Sequence, residues 1–139
     1  PFRVGGNGSS MEEPRSCEAY GCGPSAKTSV GDTSVSWGIR VWPAGTETWA
    51  RRQQWQETQD IMAGDEPERV IPGHYLGTPP AGTGAIDFTR TYLQQFEQAV
   101  AKHKDSAGVI AAMKKQQPDL AEVSSLELSA KVNTGEMKW

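Results

Sequence analysis

Arg69-Val70-Ile71-Pro72-Gly73-His74-Tyr75 is the stretch around which the rest of the chain is read. Arg69-Val70-Ile71 is a short apolar run and Pro72-Gly73 closes it, which predicts a brief buried strand leading into a loop. A histidine follows at once. The strand fixes the backbone, the Pro-Gly turn re-aims it, and the imidazole projects at the strand's C-terminal edge, where α/β sheets place functional groups. A neutral imidazole there suits a divalent metal such as zinc. A surface-loop histidine bonded to backbone is the other reading these residues allow.

Before this stretch, Val35, Trp37, Ile39 and Val41 alternate with Ser36, Gly38, Arg40 and Trp42. That period of two predicts a strand with one buried face, broken by Pro43-Ala44-Gly45. Thr46 or Thr48 is placed to cap a helix running to about Met62, and Ala63-Gly64-Asp65 stops it. After His74, the Gly- and Pro-rich segment Tyr75–Gly84 reads as a loop. Ile86, Thr89, Leu93, Phe96 and Val100 then step by three and four along one helical stripe, which Phe88, Tyr92 and Ala99 widen. This helix is expected to end near Lys104. Ser106 is a suitable N-cap for the next one, with Val109, Ile110 and Met113 inward and Pro118 as its stop. A last helix is expected from Asp119 to about Val132, carrying Leu120, Val123, Leu126 and Ala130, with Gly135 beyond its end.

Strand, helix, strand and three helices make an α/β layer cut short, because two strands do not form a stable sheet alone. Either residues 1–36 add strands or the rest of the sheet lies elsewhere. Residues 1–36 are rich in Ser and Gly and poor in large apolar side chains. They read as loop or disorder, with a short strand near Ser34–Val35–Ser36 at most.

The chain has 139 residues, which suits one domain, and a net charge of −3. Mild acidity argues against nucleic acid, whose binding rests on clustered basic charge. No apolar run approaches the roughly 18 residues of a membrane span. No signal peptide and no initiator Met are visible, so the expected location is cytoplasmic and the chain reads as a fragment or a processed product. Cys17 and Cys22 fit either two free thiols or a small-loop disulfide, and no four-ligand zinc spacing includes them.

Val70–His74 (V-I-P-G-H) resembles the last metal-binding motif of the metallo-β-lactamase fold. Gly38-Ile39-Arg40-Val41-Trp42 resembles the G-V-H-V-W-type strand of one bacterial subgroup of that fold. Thr91-Tyr92-Leu93, the tail Ser125–Lys131 and Gly135-Glu136-Met137 resemble family segments as well, in order, over about residues 37–139. The resemblance implies a metal-dependent hydrolase with an αββα sandwich of roughly twice this length. In such enzymes one or two zinc ions activate a water and polarise the substrate. It implies that residues 37–139 are the C-terminal half of such a sandwich, with short strands and three C-terminal helices, and that His74 is one ligand of the second metal. Gly31-Asp32 resembles the Gly-Asp pair that carries the family's bridging ligand, although the spacing to Gly38 is one residue long; an ordinary Asx-turn is the alternative for Asp32. The subgroup's strand His is Arg40 here, which is not counted as a ligand. The family's H-x-H-x-D-H motif is absent.

The expected function is therefore the C-terminal portion of a zinc-dependent hydrolase acting on a small-molecule substrate of open class, inactive alone. The alternative is a non-catalytic α/β interaction module without metal. Either way the incomplete sheet favours self-association or a partner. Other residues read more simply. His103 fits a solvated helix end. Asp60, Asp65, Glu66 and Glu68 fit a solvated acidic face. Trp42, Trp49 and Trp55 fit packing against the sheet. No Ser-His-Asp or Cys-His arrangement is present.

Overall fold

The structure is a computed structural model that describes residues 27–139. The loop reading of the preceding residues, and both Cys17 and Cys22, lie outside the described residues. The fold is mixed α/β: a small parallel sheet and four α-helices. In order these are β1 (Thr28–Trp37), α1 (Trp49–Gly64), β2 (Arg69–Tyr75), α2 (Gly84–Lys102), α3 (Ser106–Gln116) and α4 (Val123–Asn133). β1 and β2 pair in parallel with α1 as the crossover, the connection that parallel neighbours require.

Three sequence expectations are corrected at the strands. First, the strand expected near Ser34–Ser36 begins at Thr28, so residues 28–33 belong to β1 rather than to a loop. Its β-branched Thr28, Val30, Thr33 and Val35 suit a strand, and Val35 is fully buried with Val70, Ala85 and Ile86. Composition hid this because the partner that stabilises the strand lies some forty residues away, a tertiary effect. Second, the alternation from Val35 does not carry the strand to Val41. Gly38 has φ +69°, and a Cβ there would meet Leu76 O at 2.5 Å, so the chain turns out of the sheet after Trp37. Ile39 then makes only an isolated parallel bridge to Ala121. Third, Pro72-Gly73 does not end β2, which continues to Tyr75. At Pro72 β2 pairs with β1, and its bridge to Ala81 is confined to Arg69, so a proline lacking its N–H is tolerated.

The register is irregular where it matters. Val30 pairs with Ile71, Asp32 with Pro72, Ser36 with His74 and Trp37 with Tyr75. Four steps on β1 from Asp32 to Ser36 thus match two on β2, a bulge that bends the strand. The bulge leaves the Ser34 carbonyl to α1, where Trp55 Nε1 donates to it at 2.8 Å and Gln59 Nε2 also donates. Thr89 of α2 fixes the end of β1: its Oγ1 accepts from Ser36 N–H at 2.9 Å and lies 3.0 Å from Ser36 O.

The helices follow their sequence signals closely. Thr48 caps α1 by accepting from Arg51 N–H. Ile86, Thr89, Leu93 and Phe96 of α2 are buried, with Val100 packed beside them. α3 begins one residue earlier in capping terms than expected: Asp105, not Ser106, is the N-cap and accepts from Gly108 N–H at 2.6 Å. α4 begins at Val123 rather than Asp119, because residues 117–121 cap α3 and bridge to Ile39. At its end, Gly135 has φ +80°, Gly135 N–H bonds to Val132 O, and Glu136 N–H bonds to Lys131 O, the paired bonds of a Schellman stop.

The main core joins α2, α3 and α4 through Tyr92, Leu93, Phe96, Val109, Met113, Leu126 and Ala130, with Val41 beneath. Arg52 is buried and ties α1 to this core: its guanidinium pairs with Glu97 (Nη2–Oε1 3.1 Å), donates to Thr46 O at 2.8 Å and meets Asn133 Oδ1. No helix among the described residues is long and apolar enough to cross a membrane.

Candidate functional site

The C-terminal ends of β1 and β2 open into a cleft of about 1240 Å³. Ser36 and His74, opposite each other in register, form part of one wall. Gly73 and Tyr75 flank the histidine, and Arg40, Glu122 and Ser125 face the same space. This is the location that open parallel sheets reserve for ligands, outside the carboxyl ends of the strands.

His74 is exposed. The position comes from the strand running through Pro72-Gly73, so the histidine is the penultimate residue of β2 rather than the first of a loop. Asp32 lies on β1 opposite Pro72, two register positions before His74 on β2, with the bulge of residues 33–35 between them and Ser36. The backbone thus brings both proposed ligands onto neighbouring strands, Asp32 farther from the cleft end.

A resident zinc ion needs more than these two positions supply. Catalytic zinc normally takes three protein ligands. Among the described residues, no group of three or more His, Cys, Asp and Glu is placed to hold a metal ion. Among the described residues His74 thus stands without a complete ligand set.

Arg40 is only 2% exposed and has a structural task. Its backbone N–H donates to Ala121 O at 3.1 Å, and its Nη2 donates to Gln117 O at 2.8 Å. Gln117 is the C-cap of α3, where the helix's negative end favours a cation. The guanidinium also lies beside Tyr92, whose hydroxyl burial pushes up to about 12 despite the opposing Arg40 charge. The tyrosine is thus a neutral core group, not a cleft group.

The remaining candidates sort by environment. His103 is the C-cap of α2 and is half-buried against Gly108 rather than solvated: a Cβ there would meet His103 Nδ1 at 2.7 Å. Asp60, Asp65, Glu66 and Glu68 are exposed, and Asp60 meets Arg90 Nη2 at 2.6 Å. Of the three tryptophans expected in the core, only Trp55 packs there. Trp42 is 49% and Trp49 61% exposed. Trp42 and Trp139 both line the cleft, with ring centroids 5.5 Å apart and planes at 76°. Sequence reasoning missed this pair. Trp42 reads as packing against the sheet because the net negative charge disfavours a nucleic-acid role for it, and Trp139 has no periodic neighbours to place it. Comparison with protein-family models, curated proteins and solved structures finds no match for this chain.

Proposed function

We propose that this chain is the C-terminal portion of a zinc-dependent hydrolase with a metallo-β-lactamase-like αββα sandwich, of which it supplies one α/β layer and one metal ligand, His74. Asp32 is the second candidate ligand. The substrate is a small molecule, and the chain alone is inactive because its ligand set is incomplete. The observation that carries the reading is an exposed histidine at the C-terminal end of a parallel strand whose outer face is uncovered by the described residues. Val70 and Pro72 of β2 are buried towards the helices, whereas Ile71 and its partner Val30 are 43% and 69% exposed. Parallel sheets are ordinarily covered on both faces, so an apolar outer face fits a second layer supplied from elsewhere. The resemblance of Val70–His74 to the family's last ligand motif supports the same assignment.

Zinc content of the purified chain is the test. The expected result is well below one tightly held zinc per chain, with residual affinity reduced in His74→Ala. One zinc per chain that survives His74→Ala would overturn the reading. A second reading, a non-catalytic α/β interaction module without metal, draws on the same bare face. It predicts self-association or partner binding through the sheet, readable by sedimentation, with zinc indifferent to His74→Ala.

A further inference from the structure

The cleft has an aromatic wall, and it is held in place from outside. Trp42 sits immediately before the buried Pro43, whose carbonyl accepts from Asn133 Nδ2 at 3.2 Å, so its backbone is fixed to α4. Trp139 arrives by a different route. The Schellman stop after α4 reverses the chain, and the Glu136 carboxylate then clasps the N-terminus of α3. It accepts from Ser106 N–H at 2.7 Å and from Ser106 Oγ–H at 2.6 Å. The segment beyond this clasp carries Trp139 to its edge-to-face contact with Trp42. Both indoles remain about half or more exposed inside a concave space, at 49% and 62%, with Ile39 and Leu76 also lining it. Large aromatic side chains exposed singly on a convex surface need no explanation; several converging in one cleft form a surface that an apolar ligand desolvates.

We infer that the cleft binds the flat apolar or aromatic body of a small molecule against Trp42 and Trp139, with Glu136 as the positioning residue that holds this wall. The inference rests on the reading of the cleft as a small-molecule site but not on the metal. The ring faces and edges of two mutually perpendicular indoles offer stacking and edge contacts to a planar ligand. The reactive end of such a ligand extends towards His74 and Ser36 across the cleft.

The test uses the full chain, 2-naphthol as a neutral naphthyl probe, and equilibrium dialysis at neutral pH without added metal. Saturable binding at one site per chain is expected. Trp42→Ala and Trp139→Ala should each weaken it by about tenfold. Trp49→Ala removes an equally exposed indole outside the cleft and should leave binding unchanged. Glu136→Ala should weaken binding several-fold and erase the near-ultraviolet circular dichroism of the Trp42–Trp139 pair, with the far-ultraviolet spectrum intact. Glu136→Gln, which keeps an oxygen acceptor for Ser106, should restore part of both. Non-saturable uptake, or equal losses in Trp49→Ala and the cleft variants, would overturn the inference. Because no zinc is present, failure here is separate from failure of the metal assignment, which His74→Ala tests by zinc content.

Discussion

The helical region and the sheet region solve the same problem with different completeness. In the helical region, α2, α3 and α4 bury Tyr92, Leu93, Phe96, Met113 and Leu126 against one another and leave none of those side chains accessible. In the sheet region, two strands bury Val35 and Val70 on the helix side and expose Val30, Ile71 and Tyr75. The first is a finished core. The second has one covered face, a cleft at its end, and a histidine facing that cleft. The contrast teaches that apolar burial is concentrated in the helices, while the sheet keeps one face uncovered among the described residues.

The sharpest way to break this contrast is to cut into each region equally. Phe96→Ala removes a fully buried ring and should cost about 3–5 kcal/mol in urea unfolding. Ile71→Ser on the exposed sheet face should stay within about 0.5 kcal/mol of the parent. Equal losses would show that the outer sheet face is covered in solution. Next in size is Glu97→Ala, which leaves the buried Arg52 guanidinium without its carboxylate and should cost about 3 kcal/mol.

Two titrating groups respond to pH in opposite directions. Burial raises the Tyr92 hydroxyl from 10.0 to about 12, so the folded state resists its ionisation. Its stabilising contribution is complete below pH 10 and is lost as pH rises through about 12. Tyr92→Phe should flatten that alkaline limb in thermal melts. Glu136 behaves oppositely. Hydrogen bonds from the Ser106 side chain and backbone lower its pKa from 4.5, so its contribution is present above pH 4.5 and fades as pH falls through the lower folded value. Ser106→Ala should weaken that acid dependence, and this is the smallest effect expected, because Glu136 is exposed.

How legible each region was in the sequence follows from the same difference. The α2 stripe, the Thr48 cap and the Gly135 stop are local signals, and the structure follows each of them. The α4 start was misplaced because Ala121 is taken up by a bridge to Ile39, which no local pattern encodes. β1 was obscured for the same reason: its Ser- and Gly-rich stretch becomes a strand only through β2 and the α1 side chains that hold its bulge. His74 could be singled out because strand, Pro-Gly and histidine are contiguous. Trp139 could not, because its place depends on the Glu136 clasp at α3, thirty residues away in sequence.

As proposed above, His74 is one ligand of a metal site that a second layer completes. The direct measurement is zinc affinity, by chelator competition, of this chain mixed with an N-terminal half of the same fold carrying H-x-H-x-D-H. Zinc should bind more tightly to the mixture than to either part, with at least tenfold loss on His74→Ala. Zinc affinity in the mixture that is no higher than in its parts, or that is unmoved by His74→Ala, would contradict it.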